Sequence, residues 1–333
     1  MQRLSGFPFA PWFLDRIKTA RRIALMTHLG PDADGLGSQV AFAAAANAAG
    51  RDVIIVNEDA LPDRYGWLDP DGSFGHFERD HGRLEDVDLG IVFDTHTPAR
   101  AGRPFTALSD RGVDVLVFDH HAVTADADVQ GVVATEFSST GELCYRLLQA
   151  LQWPVGVDSA RGIYAAISFD TGSFRFLRNQ ANTMRVAAEL LETGLDTNPI
   201  QEALFASRPA DETVLLGRIL ERIKFNPDRR IAWVITPSEL GDGLNVGRDA
   251  YGVAIPFVVG IEGVLAAAML KPGREAGEWK LSLRSKTAVK VGHIAVARGG
   301  GGHAHAAGAT LVGDPEELMR EVVAEIELAL EAA

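Results

Sequence analysis

Arg22-Ile-Ala-Leu-Met-Thr27-His28-Leu-Gly-Pro31-Asp32-Ala-Asp34-Gly-Leu-Gly37-Ser38 is the stretch that decides the fold. Its first six residues are an apolar, strand-length run that stops at a histidine. Two aspartates and three glycines follow, and the Ala-rich segment from Ser38 to Ala49 reads as a helix ended by Gly50. Strand, polar turn, helix is the unit of an α/β sheet, and the pattern recurs. Asp52 to Asn57, Leu89 to Asp94 and Val113 to Asp119 are further buried-type strands, and two of them also end in an acid. Ser139-Thr-Gly-Glu142 has capping-box spacing and should open a helix reaching about Leu151, with another helix before Asp170. The fold class is therefore α/β: an N-terminal, mostly parallel sheet with flanking helices, and a smaller C-terminal α/β domain.

The polar stretch from Leu191 to Asp211, with Gly194, Pro199 and Pro209, marks the joint. We expect domains at 1–192 and 229–333 with a connector at 193–228. In the second, strands are expected near Val264 to Leu270 and Trp279 to Ser285, with a helix from about Pro315 to Leu330. Val253 to Leu270 is the longest apolar stretch; Pro256, Glu262 and two glycines interrupt it, so it reads as paired strands and not as a membrane span.

The chain has 333 residues, 47% of them hydrophobic, and a formal net charge of −13, which offers no general attraction to long nucleic acid. Its single cysteine, Cys144, excludes an intrachain disulfide and any multi-cysteine metal site. With no apolar leader at the N-terminus, the expected location is the cytoplasm.

Four separated clusters carry the chemistry: His28 with Asp32 and Asp34, then Asp94, then Asp119-His120-His121, then Asp170-Thr-Gly172. Three lie at expected strand ends, where ligands collect in open α/β sheets. One such cluster reads as a surface turn; four make a mixed carboxylate and imidazole set of the size that holds two divalent ions about 3.5–4 Å apart and activates water against a phosphate. Imidazole with many oxygen donors and no thiolate favours manganese (Mn2+), with Mg2+ or Co2+ as substitutes.

These motifs together resemble the DHH phosphoesterase superfamily, named for the tripeptide seen here at 119–121. Ser282-Leu-Arg-Ser285 and Gly299-Gly-Gly-Gly-His303, followed by Ala306-Ala-Gly308, resemble its associated C-terminal substrate domain. The nearest subgroup is the oligoribonuclease and 3′-phosphoadenosine-5′-phosphate phosphatase group, which shares Ser-Ser-Thr-x-Glu as at 138–142. The resemblance implies that His28, Asp32 and Asp94 hold one metal and Asp34, Asp94, His120 and Asp170 the other, with Asp94 shared. It makes His121 a phosphate-facing donor or acid, and Asp119 reads as the orienter of an imidazole and not as a ligand, since ligating histidines need a partner on their other nitrogen. Arg100, Arg284, Ser285, Gly300, Gly301, Gly302 and His303 become substrate-binding candidates. A glycine run lets backbone N–H groups approach an anion, and an arginine grips phosphate in two places. The implied activity is hydrolysis of short RNA or DNA oligonucleotides, or of small nucleotide phosphates, by a hydroxide activated between two metals. Two departures from the family's pattern stand out: Arg298 where an aromatic is common, and His96-Thr97 after Asp94-Thr95. Pyrophosphate or polyphosphate hydrolysis is the nearest alternative, a non-catalytic nucleotide sensor a more distant one. The sequence leaves a homodimer open.

Overall fold

The computed structural model describes residues 9–122, 130–275, 277–286 and 288–331, and the chain divides into two compact units, Met1–Ser207 and Arg208–Ala333. In the first, six strands form one sheet: β1 (Arg22–Thr27), β2 (Asp52–Asn57), β3 (Phe74–His76), β4 (Leu89–Phe93), β5 (Asp114–Asp119) and β6 (Gly131–Val133). Their order is β3-β2-β1-β4-β5-β6 and every pairing is parallel. The short edge strands β3 and β6 escape a reading of apolar periodicity, because three residues are too few to show a period.

Both faces of this sheet are covered. Ile23 and Leu25 of β1 belong to the core under the helices Ala33–Ala48, Thr140–Leu151 and Val157–Asp170, whereas Ala24 and Met26 face the opposite cluster with Val56, Val92 and Leu108. That two-sided burial is why β1 reads as an unbroken apolar run and not as an alternation. The strand order reverses between β1 and β4, the place where the loops leaving two adjacent strands part to opposite sides and open a crevice at the carboxyl edge. Thr27 pairs with Phe93 there, so the next residues on the two strands, His28 and Asp94, leave the sheet side by side.

The first long helix begins at Ala33, five residues before the expected Ser38, and this shifts the meaning of the glycines. Gly35 and Gly37 lie inside the helix. A Cβ at Gly35 would collide with Thr27 Oγ1, and one at Gly37 with the carbonyl of Gly162 on the helix Val157–Asp170, whose own glycine faces the Gly37 carbonyl in return. These glycines bring the helix within backbone contact of its neighbours.

The second unit holds strands β7 (Lys224–Phe225), β8 (Ile231–Ile235), β9 (Ala266–Pro272), β10 (Glu278–Ser285), β11 (Gly301–His303) and β12 (Ala306–Val312), in the order β11-β12-β10-β9-β8-β7. Only β8 and β9 pair in parallel among these strands. The helix Pro315–Glu331 packs Met319, Val322 and Ile326 on one face. The helices Ala210–Leu220 and Ile255–Gly260 pack Leu215, Ile219, Ile255 and Val258 on the other. Here the reading of Val253 to Leu270 as paired strands is corrected. Its first half is helical, with Pro256 in the first turn, where a missing N–H costs no hydrogen bond; only the second half forms β9.

Candidate metal centre

Asp32 caps the helix Ala33–Ala48 through Oδ1, which accepts the N–H groups of Asp34 and Gly35 at 2.9 and 3.3 Å. Its Oδ2 lies 3.9 Å from His28 Nε2. His28 Nδ1 sits 2.9 Å from the Leu29 carbonyl, an interaction that puts the proton on Nδ1 and leaves Nε2 as a lone pair, 3.5 Å from Asp94 Oδ2. His120 repeats the device: Nδ1 is 3.3 Å from the Phe137 carbonyl, while Nε2 faces Asp34, Asp94 and Asp170 at 3.5, 3.8 and 2.9 Å. An imidazole held by its far nitrogen to a backbone carbonyl, with the near nitrogen among carboxylates, is the arrangement of a metal-ligating histidine.

The donors form three overlapping groups, each within 4.8 Å: His28, Asp32 and Asp94; Asp34, His120 and Asp170; and Asp94, His120 and His121. Asp94 belongs to the first and third groups and His120 to the second and third, so these two residues link the set. Asp94 Oδ1 also accepts Thr140 Oγ1 at 3.0 Å, and the Asp94 backbone is left-handed, with φ of 64°, an unfavourable state for a residue with a Cβ. Asp34 is fully buried and its carboxylate accepts the N–H groups of Thr140 and Gly141 at 2.8 and 2.9 Å, at the N-terminus of the helix Thr140–Leu151. Ser139 caps that helix by accepting Glu142 N–H, but the Glu142 side chain returns to the N–H of Ser138 instead of the capping residue.

Asp119 accepts the N–H of His120 and His121 through Oδ1, and His121 Nδ1 sits 2.8 Å from the same oxygen. Asp119 Oδ2 is 3.1 Å from His96 Nδ1. One buried carboxylate therefore fixes two imidazoles, and the second was not identified from sequence as having a partner. Burial opposes ionisation of Asp119, yet the bonds and charges of His121 and His120 carry it well below the ordinary carboxylate range. The candidate ligand carboxylates go the other way. Burial, and after it the neighbouring Asp94 and Asp170, push Asp34 well upward; burial, then Asp32 and Asp170, do so for Asp94. Burial also raises Asp32. Burial therefore opposes the charged form of Asp32, Asp34 and Asp94, and nearby positive charge would favour it; with two imidazoles presenting lone pairs to the same space, the donor set fits divalent cations.

The remaining candidates belong to other elements. Arg100 is exposed and its backbone carbonyl, not its side chain, reaches the loop, accepting Leu29 N–H at 2.8 Å. In the second unit, Arg284 is half-buried on β10; its guanidinium donates to the adjacent Leu283 carbonyl at 2.9 Å, and burial lowers its basicity. Ser285 Oγ donates to the Val289 carbonyl at 2.5 Å and lies 3.1 Å from His305 Nδ1, so His305 is a held imidazole. The glycine run is part of a hairpin: Cβ atoms at Gly300 and Gly302 would strike the backbone of β12, while Gly301 faces open space. Two of the glycines are thus required by strand pairing itself. The His303 side chain lies outside the described part of the structure.

A doubly wound sheet with this centre at its switch point, followed by a separate mixed-sheet unit, defines a metal-dependent phosphoesterase. The chain belongs to the DHH family: residues 22–167 match the DHH family N-terminal domain and residues 232–332 the DHHA1 domain. It is similar over most of its length to the bifunctional oligoribonuclease and PAP phosphatase NrnA of Thermus thermophilus, with 28% identity covering 87% of this chain and 84% of that protein. The protein of the same name from Bacillus subtilis is 25% identical, covering 87% and 89%. Among solved structures, an exopolyphosphatase-related protein from Bacteroides fragilis superposes with a TM-score of 0.84 at 23% identity, covering 97% of this chain and 96% of that one, which shows the shared fold.

Proposed function

We propose that this protein hydrolyses very short oligonucleotides and 3′-phosphoadenosine 5′-phosphate, using two manganese ions held by His28, Asp32, Asp94, Asp34, His120 and Asp170. The observation that carries the reading is the continuous series of donor groups, linked through Asp94 and His120, whose Nε2 lies 3.8 Å from Asp94 Oδ1, which suits a pair of cations side by side. The names of the near full-length relatives from Thermus thermophilus and Bacillus subtilis support the substrate class. Bound cations would offset charge on phosphoryl oxygens and make a water acidic enough to attack at neutral pH.

The chain's own residues do the rest. Asp119 fixes the His121 ring, whose side chain is 37% exposed, as a donor towards substrate phosphate. Thr140 Oγ1 and the amides opening its helix keep Asp94 and Asp34 in place. In the second unit, Arg284 has no carboxylate partner among the described residues, which suits it to a substrate phosphate. We assign Ser285, the run Gly300 to Gly302, and His303 to the same task, and Arg100 to substrate in the first unit. The lone buried Cys144 fits a reducing, cytoplasmic setting, and among the described residues no helix is long and apolar enough to cross a membrane.

The test is a substrate panel with Mn2+: a 5′-labelled dinucleotide, 3′-phosphoadenosine 5′-phosphate, pyrophosphate and a long single strand. Turnover of the first two, with little of the others, is the expected result. Turnover of pyrophosphate alone would move the chain to inorganic phosphate chemistry, and binding without turnover would make it a sensor.

A further inference from the structure

Immediately after the ligand Asp170 the backbone takes three successive left-handed residues, Gly172, Ser173 and Phe174, with φ of 57°, 61° and 63°. Two of them carry side chains that disfavour this state, so the surroundings must impose it. They do so with a dense set of bonds. Ser173 N–H donates to Ser168 O at 2.7 Å, Phe174 N–H to Thr171 Oγ1 at 2.8 Å, and the N–H groups of Arg175 and Phe176 both reach Thr171 O at 3.0 Å. Ser173 Oγ bonds Gln201 Oε1 at 3.0 Å, and the Phe174 ring turns inward, 5.5 Å from Tyr164.

The outcome of this construction is the opposite fate of Phe176. It is 73% exposed, the most exposed aromatic among the described residues. A Cβ at Gly172 would lie 3.5 Å from the Phe176 ring and 3.2 Å from Arg175 Nη2, so ring and guanidinium stand over a glycine two residues from a metal ligand. Arg175 Nε donates to Gly172 O at 2.5 Å, which fixes the guanidinium there, and its carbon lies 5.9 Å from the ring centroid. A single exposed phenylalanine on an ordinary surface needs no explanation. Here a conformationally unfavourable, many-bonded turn that begins directly after Asp170 holds one in water over Gly172.

We propose that Phe176, flanked by Arg175, is a stacking platform for the nucleobase adjoining the phosphate under attack. Every base has a π-face, so such a platform grips nucleotides without reading their sequence, and it gives an anionic, base-bearing substrate an advantage over inorganic phosphates. The inference rests on the nucleotide-hydrolase reading above and adds the subsite that makes the enzyme select a nucleotide.

The test compares a 5′-phosphorylated dinucleotide with its analogue lacking the base next to the scissile phosphate, both in excess Mn2+. Loss of one stacked base typically costs about 1–3 kcal/mol, or roughly 5- to 150-fold. Phe176→Ala should lower the ratio of the two kcat/KM values by about 10-fold or more, mainly through KM for the dinucleotide, with metal content unchanged. Phe176→Trp should restore the ratio, and its added fluorescence should be quenched by the dinucleotide and not by the analogue. An unchanged ratio in Phe176→Ala, whether from no loss or from equal loss on both substrates, overturns the platform while leaving the nucleotide-hydrolase reading standing. Failure of the wild-type protein to cleave either compound overturns both.

Discussion

Asp94 belongs to two of the three donor groups and is proposed to serve both cations, so Asp94→Ala should abolish turnover and weaken retention of both. Metal content by elemental analysis checks this; a variant that keeps two ions and near-normal rate would refute a shared carboxylate. The two histidines that follow Asp119 should separate. His120 presents Nε2 to three carboxylates, so His120→Ala should lose metal. His121 is held by Asp119, so His121→Ala should keep metal and lose about 10²–10⁴-fold in rate, the range for a positioned acid or donor. The raised carboxylates add a pH dependence. In the metal-free chain, folded Asp34 and Asp94 retain protons that the unfolded chain releases near its ordinary value of about 3.9, so the folded state binds more protons and its stability falls as pH rises through that window. Cation binding needs the ionised forms and should expel protons, which titration calorimetry in buffers of different ionisation enthalpy measures. At this scale the convergence of His28, Asp94 and His120 could be read from sequence, because each follows an apolar run that ends at one sheet edge. Thr140, His96 and Phe176 could not, since their roles depend on which helix end or turn the tertiary fold brings to that edge.

The helices carry their own tests. Gly37 and Gly162 face each other's carbonyls across the contact between Ala33–Ala48 and Val157–Asp170, so alanine at either position should cost about 1–3 kcal/mol by overpacking, seen as a lower midpoint in urea unfolding. Ser139→Ala should cost about 1 kcal/mol as a lost cap. It should also weaken cation binding, because the same helix end donates to Asp34. The capping-box spacing located this helix start without showing what it faces. The start at Asp32 was harder to see: the residues after it are rich in glycine and aspartate, which resemble a turn until the close approach of a second helix supplies the reason for the glycines. For Val253 to Leu270, apolar composition alone did not separate helix from strand.

For the whole molecule, a net charge of −13 disfavours long polyanions, so kcat/KM should fall from two- to five- to twenty-nucleotide RNA. Arg284→Ala should raise KM for the dinucleotide without removing metal; equal efficiency at all three lengths would count against a length-selective enzyme. The left-handed backbone at Asp94 bears on the molecule's descent. That conformation costs a residue with a Cβ roughly 1–2 kcal/mol, and glycine escapes the cost. Asp94→Gly should therefore unfold at higher denaturant than Asp94→Ala, while both are inactive. Selection for catalysis and selection for folding pull against each other at this one position, and a lineage released from the first would be expected to drift there towards glycine.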